Sequence, residues 1–538
     1  MTKWAGTSRP QRKVRRMAVA ALAAVSMALT ACTGGGTPTP SVTGATVDPT
    51  AKSLVIGATA EPATLDPTAT DGAAGTQALL YNVYETLVKL DAEGHPKPLL
   101  AQAWNASPDG LTYTFKLNPA ATFSDGTKVT AQAVADNIAR IQNENVAPKL
   151  KTTMALVSSA AVVDDATIDI TLTKPSVRWL YEMAGAAGIV MNPAGFAAAG
   201  RQTAGSGPLT LDVWLPGDSI ALKKNTAYWG TPVRFDAVTF RYFKDPGAMT
   251  ASMETGQLDI ISNLQAPETV EQFADTSRFN VIQGSTDGEV TLAINNGGEH
   301  SNVDDPDPEK RVPRNPGNPA LADVRVRKAI TMAIDRQALL DTVWSGKGQL
   351  IGSMVVPTDP FYEDLTGVNP YNPDEARRLL AEAGHPKLTL RLRPAALPYA
   401  SKAAQFVASQ LAAVGITATV DELGFQQPWI STVMGQADYD LSIIAHVEPH
   451  DIFTFANPNY YWRYNNPDVT ALAASADAGS QEQYVAELKQ AARIVAEDAA
   501  AVWLFALPNL VVAKQGITGI PQNANSSLSF DVTTIARA

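Results

Sequence analysis

The 538-residue chain is predicted to fold as an α/β protein in which helices cover a parallel sheet. Three neighbouring segments carry this prediction. Residues 388–392 and 416–420 have the pattern of short buried strands, and 399–414 between them has the pattern of an amphipathic helix. A strand-helix-strand unit of this kind favours parallel pairing within one sheet.

The earlier part of the chain shows the same alternation. Residues 111–117 alternate polar and apolar side chains, which predicts a half-buried strand. Ser-Asp-Gly-Thr at 124–127 predicts a turn, and 130–141 has the period of an amphipathic helix.

Helix signals mark the second half. Val326, Ile330 and Ile334 recur every four residues and predict one buried helical stripe. Asn372, followed by proline and two acids, predicts a helix start, and Gly384 predicts its end.

Two further elements and one loop complete the prediction. Ser480 and Gln483 have the spacing of a capping box for a helix that reaches about Ala499. Residues 501–507 then predict a buried strand, and the polar, proline-rich stretch 299–319 predicts a surface loop.

The N-terminus has the pattern of an export signal. Six basic residues precede an apolar run at 17–31, which is too short to span a bilayer and ends just before Cys32, the only cysteine. We predict a lipoprotein signal peptide at 1–31, lipid attachment at Cys32 and a flexible Gly/Thr/Pro/Ser tether at 32–51. The alternative is an ordinary signal peptide that contains a cysteine. The prediction places the protein on the outer face of the cell membrane.

Composition narrows the function classes. The body has the balance of a soluble globular protein, with 45% hydrophobic and 18% charged residues, and the net charge of −11 argues against nucleic acid as a partner. With Cys32 lipidated, no thiol remains for a disulfide, a cysteine-zinc site or a nucleophile. The motifs of P-loop, nucleophile-elbow and zinc enzymes do not occur, so we expect no enzyme, no cofactor and no metal.

One polar constellation stands out. His446, Glu448, His450 and Asp451 lie within six residues, directly after a predicted strand at 438–444. Residues past the end of such a strand often line a ligand crevice. Three interpretations stay open: a carboxylate that neutralises a ligand ammonium group, a divalent-metal site, or a solvated turn.

The chain also resembles a known family, the extracytoplasmic solute-binding proteins of ABC importers, which include oligopeptide- and dipeptide-binding lipoproteins. Eight segments in chain order are similar to motifs of that family: 63–67, 84–87, 109–117 with 123–131, 205–208, 225–230, 254–259, 323–336 and 371–380.

The resemblance implies a monomer with two lobes that close over a ligand. Carried onto this chain, lobe one takes 52–294 with a small subdomain at about 80–203, lobe two takes 295–507, and 508–538 return to lobe one. The family implies capture of a small solute, with a peptide as the first expectation, and delivery to an ABC permease. The alternatives are a member of the same family that binds a nickel or other metal chelate or another small solute, a surface hydrolase on the same scaffold, and a lipoprotein scaffold or chaperone-like partner.

The resemblance also implies ligand contacts. Peptide-binding members hold the ligand's amino terminus with an acidic residue of lobe two, and the matching segment here is 445–455. Glu448 is therefore the first candidate and Asp451 the second, while Ala445 or His446 replaces a family tryptophan. His446, and more weakly Tyr84, Trp429 and Trp462, complete the predicted ligand site.

Overall fold

The computed structural model describes residues 52–59, 61–70, 73–143, 146–297, 317–425, 428–447, 449–526 and 528–538. The predicted signal peptide, Cys32 and the whole predicted tether lie outside the described residues, as do Glu448 and most of the 299–319 loop. Residues 51–538 form one compact unit. Within the described ranges, no helix is long and apolar enough to cross a membrane.

Strands and helices alternate along the described chain. The strands are β1 (Ser53–Ala58), β2 (Glu85–Thr86), β3 (Val88–Leu90), β4 (Pro96–Pro98), β5 (Ala101–Ala106), β6 (Thr112–Leu117), β7 (Val157–Asp164), β8 (Thr167–Leu172), β9 (Ile189–Val190), β10 (Leu209–Leu215), β11 (Ser219–Lys224), β12 (Ala237–Tyr242), β13 (Ile260–Ile261), β14 (Phe279–Ile294), β15 (Leu388–Leu392), β16 (Ile416–Val420), β17 (Leu441–His446), β18 (Ala501–Lys514), β19 (Ile517–Thr518) and β20 (Ala536–Arg537). The α-helices are α1 (Ala73–Leu79), α2 (Ala131–Asn143), α3 (Pro148–Met154), α4 (Val177–Glu182), α5 (Pro246–Glu254), α6 (Val324–Met332), α7 (Arg336–Trp344), α8 (Pro373–Glu382), α9 (Pro398–Ala412), α10 (Ile452–Phe455), α11 (Pro467–Ala478) and α12 (Gln481–Glu497).

A mixed sheet of ten strands organises the molecule, in the order β10-β11-β12-β1-β13-β18-β14-β17-β15-β16. At one end, β15 pairs in parallel with both β16 and β17, and α9 connects β15 to β16. The predicted strand-helix-strand unit is therefore confirmed. A separate sheet of four strands, β5-β6-β8-β7, lies within the segment predicted as the subdomain.

The antiparallel strands β14 and β18 run through the middle of the large sheet. Their ladder shifts register between Ser285 and Glu289. Before the break β14 pairs only with β18, whereas after it Glu289–Ile294 also pairs with β17. Gly288 lies in the break, where a Cβ would come within 2.4 Å of the His446 carbonyl oxygen. Strand β14 therefore keeps β18 as a partner and gains β17 as a second partner after this interruption.

The buried side chains form several apolar clusters. One lies around β5, β6 and β8, and a second lies against β1, β11 and β12. A third packs α6, α7 and α9 on the part of the large sheet that contains β15 and β17. A fourth is rich in aromatic rings and includes Trp429, Trp462 and Tyr484.

Most local predictions are confirmed, with four differences. The strand predicted at 438–444 is found at Leu441–His446, so His446 is its last residue. Ile334 is buried but lies beyond α6, because Asp335 caps a new helix there. Ser480 caps α12, accepting the Gln483 N–H at 3.3 Å, but the Gln483 side chain binds Ser475 rather than closing a capping box. The strand predicted at 501–507 continues to Lys514, because its second half pairs with the start of β14.

Candidate ligand-binding cavity

A cavity of about 150 Å³ lies between three parts of the chain. Its lining comes from described residues between 70 and 90 and between 149 and 187, from the segment after β17, and from Asn525, Ser526 and Leu528. The described residues that line it are Thr70, Thr76, Leu90, Lys149, Leu150, Tyr181, Glu182, Ala184, Gly185, Ala186, Ala187, Val447, Pro449, His450, Asn525, Ser526 and Leu528. The predicted constellation therefore contributes to a cavity wall.

The segment after β17 turns inward. His446 ends the strand, His450 has a positive φ of 59°, and Asp451 precedes the short helix α10. His446, His450 and Asp451 are buried, with relative exposures of 5%, 6% and 4%. The interpretation of 446–451 as a solvated turn is wrong for these three side chains.

His446 sits in an aromatic and acidic environment. Its Nε2 lies 2.8 Å from the Tyr461 hydroxyl, and its Nδ1 lies 3.5 Å from a carboxylate oxygen of Asp451. The rings of Tyr461 and Trp462 lie against the imidazole, with centroids at 5.9 and 4.7 Å. Asp451 therefore faces His446 behind the cavity wall.

His450 repeats this arrangement on the cavity itself. Its Nδ1 lies 2.7 Å from the Tyr484 hydroxyl, and its Nε2 lies 3.7 Å from Asp359. Burial lowers the pKa of His450 to about 3, and the positive charge of Arg178 acts in the same direction. Burial raises the pKa of Asp359 to about 8, with the charges of Asp287 and Asp451 adding to the effect. At pH 7 the His450–Asp359 pair is therefore mostly uncharged.

The described charges on the cavity wall are few. Lys149 and Glu182 line it, and Glu182 is held by Arg178 at 3.1 Å. Among the described residues, no three His, Asp or Glu side chains cluster closely enough to hold a metal ion. The wall formed by described residues consists mainly of apolar and hydroxyl groups, which suits a small organic solute.

The three aromatic residues predicted as ligand contacts lie elsewhere. Tyr84 is fully buried, and its hydroxyl donates to the Leu65 carbonyl at 3.2 Å. Trp429 donates to Ser442 at 3.1 Å, and Trp462 donates to Thr454 at 3.0 Å. Both indoles are 1% exposed, and none of the three residues lines the cavity. All three side chains pack in the core of the described structure, and their role as ligand contacts stays a prediction.

Several cavity residues were not predicted from the sequence. Tyr181, Lys149 and Asn525 come from segments far apart in the chain, and each lies in an unremarkable local pattern. Only the fold, which brings these distant segments together, shows that they line the cavity. The sequence alone carries no signal for them.

The motifs that carry the family resemblance have structural roles. Glu85 is buried and accepts hydrogen bonds from Ser206 at 2.8 Å, Tyr228 at 2.7 Å and Trp229 at 3.1 Å. These four residues come from three of the resembling segments. Burial raises the pKa of Glu85 to about 7. The segments therefore converge on one buried carboxylate and fix the packing of the fold.

The large mixed sheet, with two long strands crossing its middle and a cavity between distant segments, is the architecture of a two-lobed solute-binding protein. The family model of bacterial extracellular solute-binding proteins, family 5 (middle), matches residues 95–471. The chain belongs to this family.

Known proteins of similar sequence and structure support this family assignment. The chain is 29% identical to the glutathione-binding protein GsiB of Escherichia coli over 378 residues, 69% of each chain. It is 26% identical to the probable D,D-dipeptide-binding periplasmic protein DdpA of E. coli K12 over 520 residues, 90% of this chain and 94% of DdpA. NikA from Brucella suis, solved with Fe(III)-EDTA, superposes with a TM-score of 0.75 at 23% identity, covering 90% of this chain and all of NikA. The last comparison shows the shared two-lobed fold.

Proposed function

We propose that this protein is a lipid-anchored receptor that captures a short peptide between its lobes and delivers it to an ABC import permease. The observation that carries the proposal is the cavity, whose lining residues come from both the predicted lobe one and the predicted lobe two, in a member of a solute-binding family. The relatives named for glutathione and for D,D-dipeptides support a peptide as the solute class.

The proposed lobes meet near the interruption in the two long strands. The sequence placed the boundaries after Ile294 and Leu507. The break after Ser285, opposite Ala506 and Pro508, supports a hinge several residues earlier in β14. Hinge motions are absorbed by a few residues at the ends of elements, and a ligand that contacts both lobes favours the closed state.

The ligand's ammonium group is proposed to pair with Glu448. Val447 and Pro449, its chain neighbours, both line the cavity, whereas Asp451 is buried against His446. The Asp359–His450 pair is mostly uncharged at pH 7, and Glu182 is already paired with Arg178. Glu448 is thus favoured over Asp451 as the source of negative charge.

The membrane anchor is proposed at Cys32. The apolar run, the single cysteine and the polar tether support lipidation after removal of residues 1–31. Two acyl chains are needed for stable anchoring, and a diacylglycerol supplies both.

Native mass spectrometry of the gently purified full chain tests the solute class, because a closed binding protein retains its ligand. A bound mass that fragments as a peptide supports the proposal. Thermal shifts with glutathione, D-alanyl-D-alanine and a nickel chelate then compare the solute classes. Stabilisation by the chelate alone would favour the metal-chelate alternative, and steady product formation from a peptide or glycoside library would favour a hydrolase.

The site proposal is tested with Glu448→Gln and Asp451→Asn, and Glu254→Gln serves as the control because Glu254 is exposed at the end of α5. Removing one member of a buried charge pair costs about 2–5 kcal/mol. Glu448→Gln should therefore weaken binding of the identified ligand at least about tenfold, since about 1.4 kcal/mol is a factor of ten. Wild-type affinity in Glu448→Gln would refute the assignment.

A further inference from the structure

Helix α4 belongs by chain position to the predicted subdomain of lobe one but packs on residues of the predicted lobe two. Val177 and Tyr181 are buried in an apolar cluster whose other fully buried members all lie between Ala293 and Ala506. The helix therefore bridges the two sides of the cavity.

A carboxylate from the last turn of α11 holds the start of α4. One oxygen of Asp477 accepts a hydrogen bond from the Ser176 hydroxyl at 2.8 Å and another from the Arg178 N–H at 2.9 Å. Ser176 in turn caps α4 by accepting the Trp179 N–H at 3.1 Å. Asp477 thus supports the first turn of a helix that lies about 300 residues earlier in the chain. Hydrogen bonds to a charged group are among the stronger ones in proteins.

Aromatic contacts continue along the same helix. The Arg178 guanidinium lies 4.8 Å from the ring centre of Phe453. Tyr181 stacks on Tyr484 at 5.5 Å, and its hydroxyl accepts a hydrogen bond from Gln481. Because Tyr181 also lines the cavity, the helix joins the ligand site to the contact between the lobes.

We propose that α4, through Asp477 and Tyr181, forms a latch that holds the lobes closed without any ligand. The inference rests on the proposed function, since it assumes that the two sides of the cavity move as lobes. All of its contacts are within the protein, so they favour the closed state whether or not the cavity is filled. A receptor that already populates its closed state binds more tightly, because less of the binding free energy is spent on closure. Solute release then requires the latch to open.

The test uses the full chain, freed of solute by reversible unfolding and confirmed empty by native mass spectrometry. Small-angle scattering should show a larger radius of gyration for Asp477→Ala than for the wild type. Hydrogen exchange of residues 177–182 should rise at least about tenfold in the variant, as expected when two hydrogen bonds to a charged group are lost. Asp477→Asn keeps the accepting oxygen, so its radius of gyration and its exchange rate should lie between those of the wild type and those of Asp477→Ala.

Asp468→Ala is the matched control, since Asp468 lies in the first turn of the same helix, at the end remote from Asp477. It should leave both measurements unchanged. If Asp477→Ala fails to fold, Asp477→Asn and Tyr181→Phe provide the same two measurements.

Faster exchange with an unchanged radius of gyration would mean that α4 merely frays, and would overturn the latch. The latch would also be overturned if the empty wild type had the same radius of gyration as Asp477→Ala. Scattering and hydrogen exchange are both measured without ligand, so they test the latch independently of which solute the protein binds.

Discussion

Replacement of Asp359 by asparagine should change how stability depends on pH. The Asp359 side chain retains about 10% exposure and faces His450 at 3.7 Å, while the Val356 N–H donates to its carboxyl group at 3.2 Å. Burial raises its pKa from 3.8 to about 8. The folded protein therefore binds a proton at pH 7 that the unfolded chain has released.

The direction in which stability changes with pH follows from the linkage between proton binding and folding. The stability contributed by protonated Asp359 is fully present below pH 3.8 and is lost as the pH rises through 8. His450, whose pKa falls from 6.5 to about 3, acts in the opposite direction but only below pH 6.5. Glu85 has the same sign as Asp359, but its raised pKa of about 7 ends its effect earlier. Between about pH 7 and 8.5, most of the change in stability therefore comes from the deprotonation of Asp359. The expected loss of unfolding free energy over this range is about 1 kcal/mol.

Urea unfolding at about pH 7.0, 7.8 and 8.5, which lie within about one unit of the folded pKa, measures this loss of unfolding free energy. The wild type should lose stability across the series, and Asp359→Asn should lose less, because an amide does not titrate. Asp364→Asn is the control, since this exposed residue in the same loop has a pKa below 3.8, lowered by the Thr366 hydroxyl and N–H. Parallel slopes for the wild type and Asp359→Asn would refute the reasoning.

Three further predictions concern the anchor, the core and closure. Cys32→Ala should not incorporate labelled palmitate and should leave the membrane fraction if its signal is still cleaved; continued labelling would contradict lipidation at this residue. Trp462→Ala should lower the unfolding free energy by about 3–5 kcal/mol, because its ring stacks on Phe455 at 4.8 Å in the core. A loss of ligand affinity without loss of stability would instead support the prediction of Trp462 as a ligand contact. Saturating ligand should reduce the radius of gyration of Asp477→Ala more than that of the wild type, whose latch already favours closure, and equal reductions would count against this.

Local elements of the fold were predictable because local chemistry fixes them. Asn372 caps α8, as its side chain accepts the Glu375 N–H at 3.0 Å, and the two strands of the predicted unit have the bounds given by the sequence pattern. Period, caps and turn residues act within a few positions of the chain, so a single sequence contains them.

The family was also predictable, and the structure gives the reason. Three of the resembling segments supply Glu85, Ser206 and Tyr228, and the last two donate hydrogen bonds to the buried Glu85 carboxylate. These contacts define the fold rather than the ligand, so motifs of this kind identify a solute-binding protein without naming its solute.

The candidate site was only partly predictable. The position of residues 446–451 just past the predicted strand at 438–444 indicated a ligand crevice, and Val447, Pro449 and His450 do line the cavity. Burial, however, depends on what the rest of the chain packs against that segment. The sequence by itself therefore determined the helices, the strands and the family, since these depend on near neighbours and repeated motifs. Only the tertiary structure decided that Tyr84, Trp429 and Trp462 are core residues and that α4 contacts Asp477, because residues hundreds of positions apart supply those contacts.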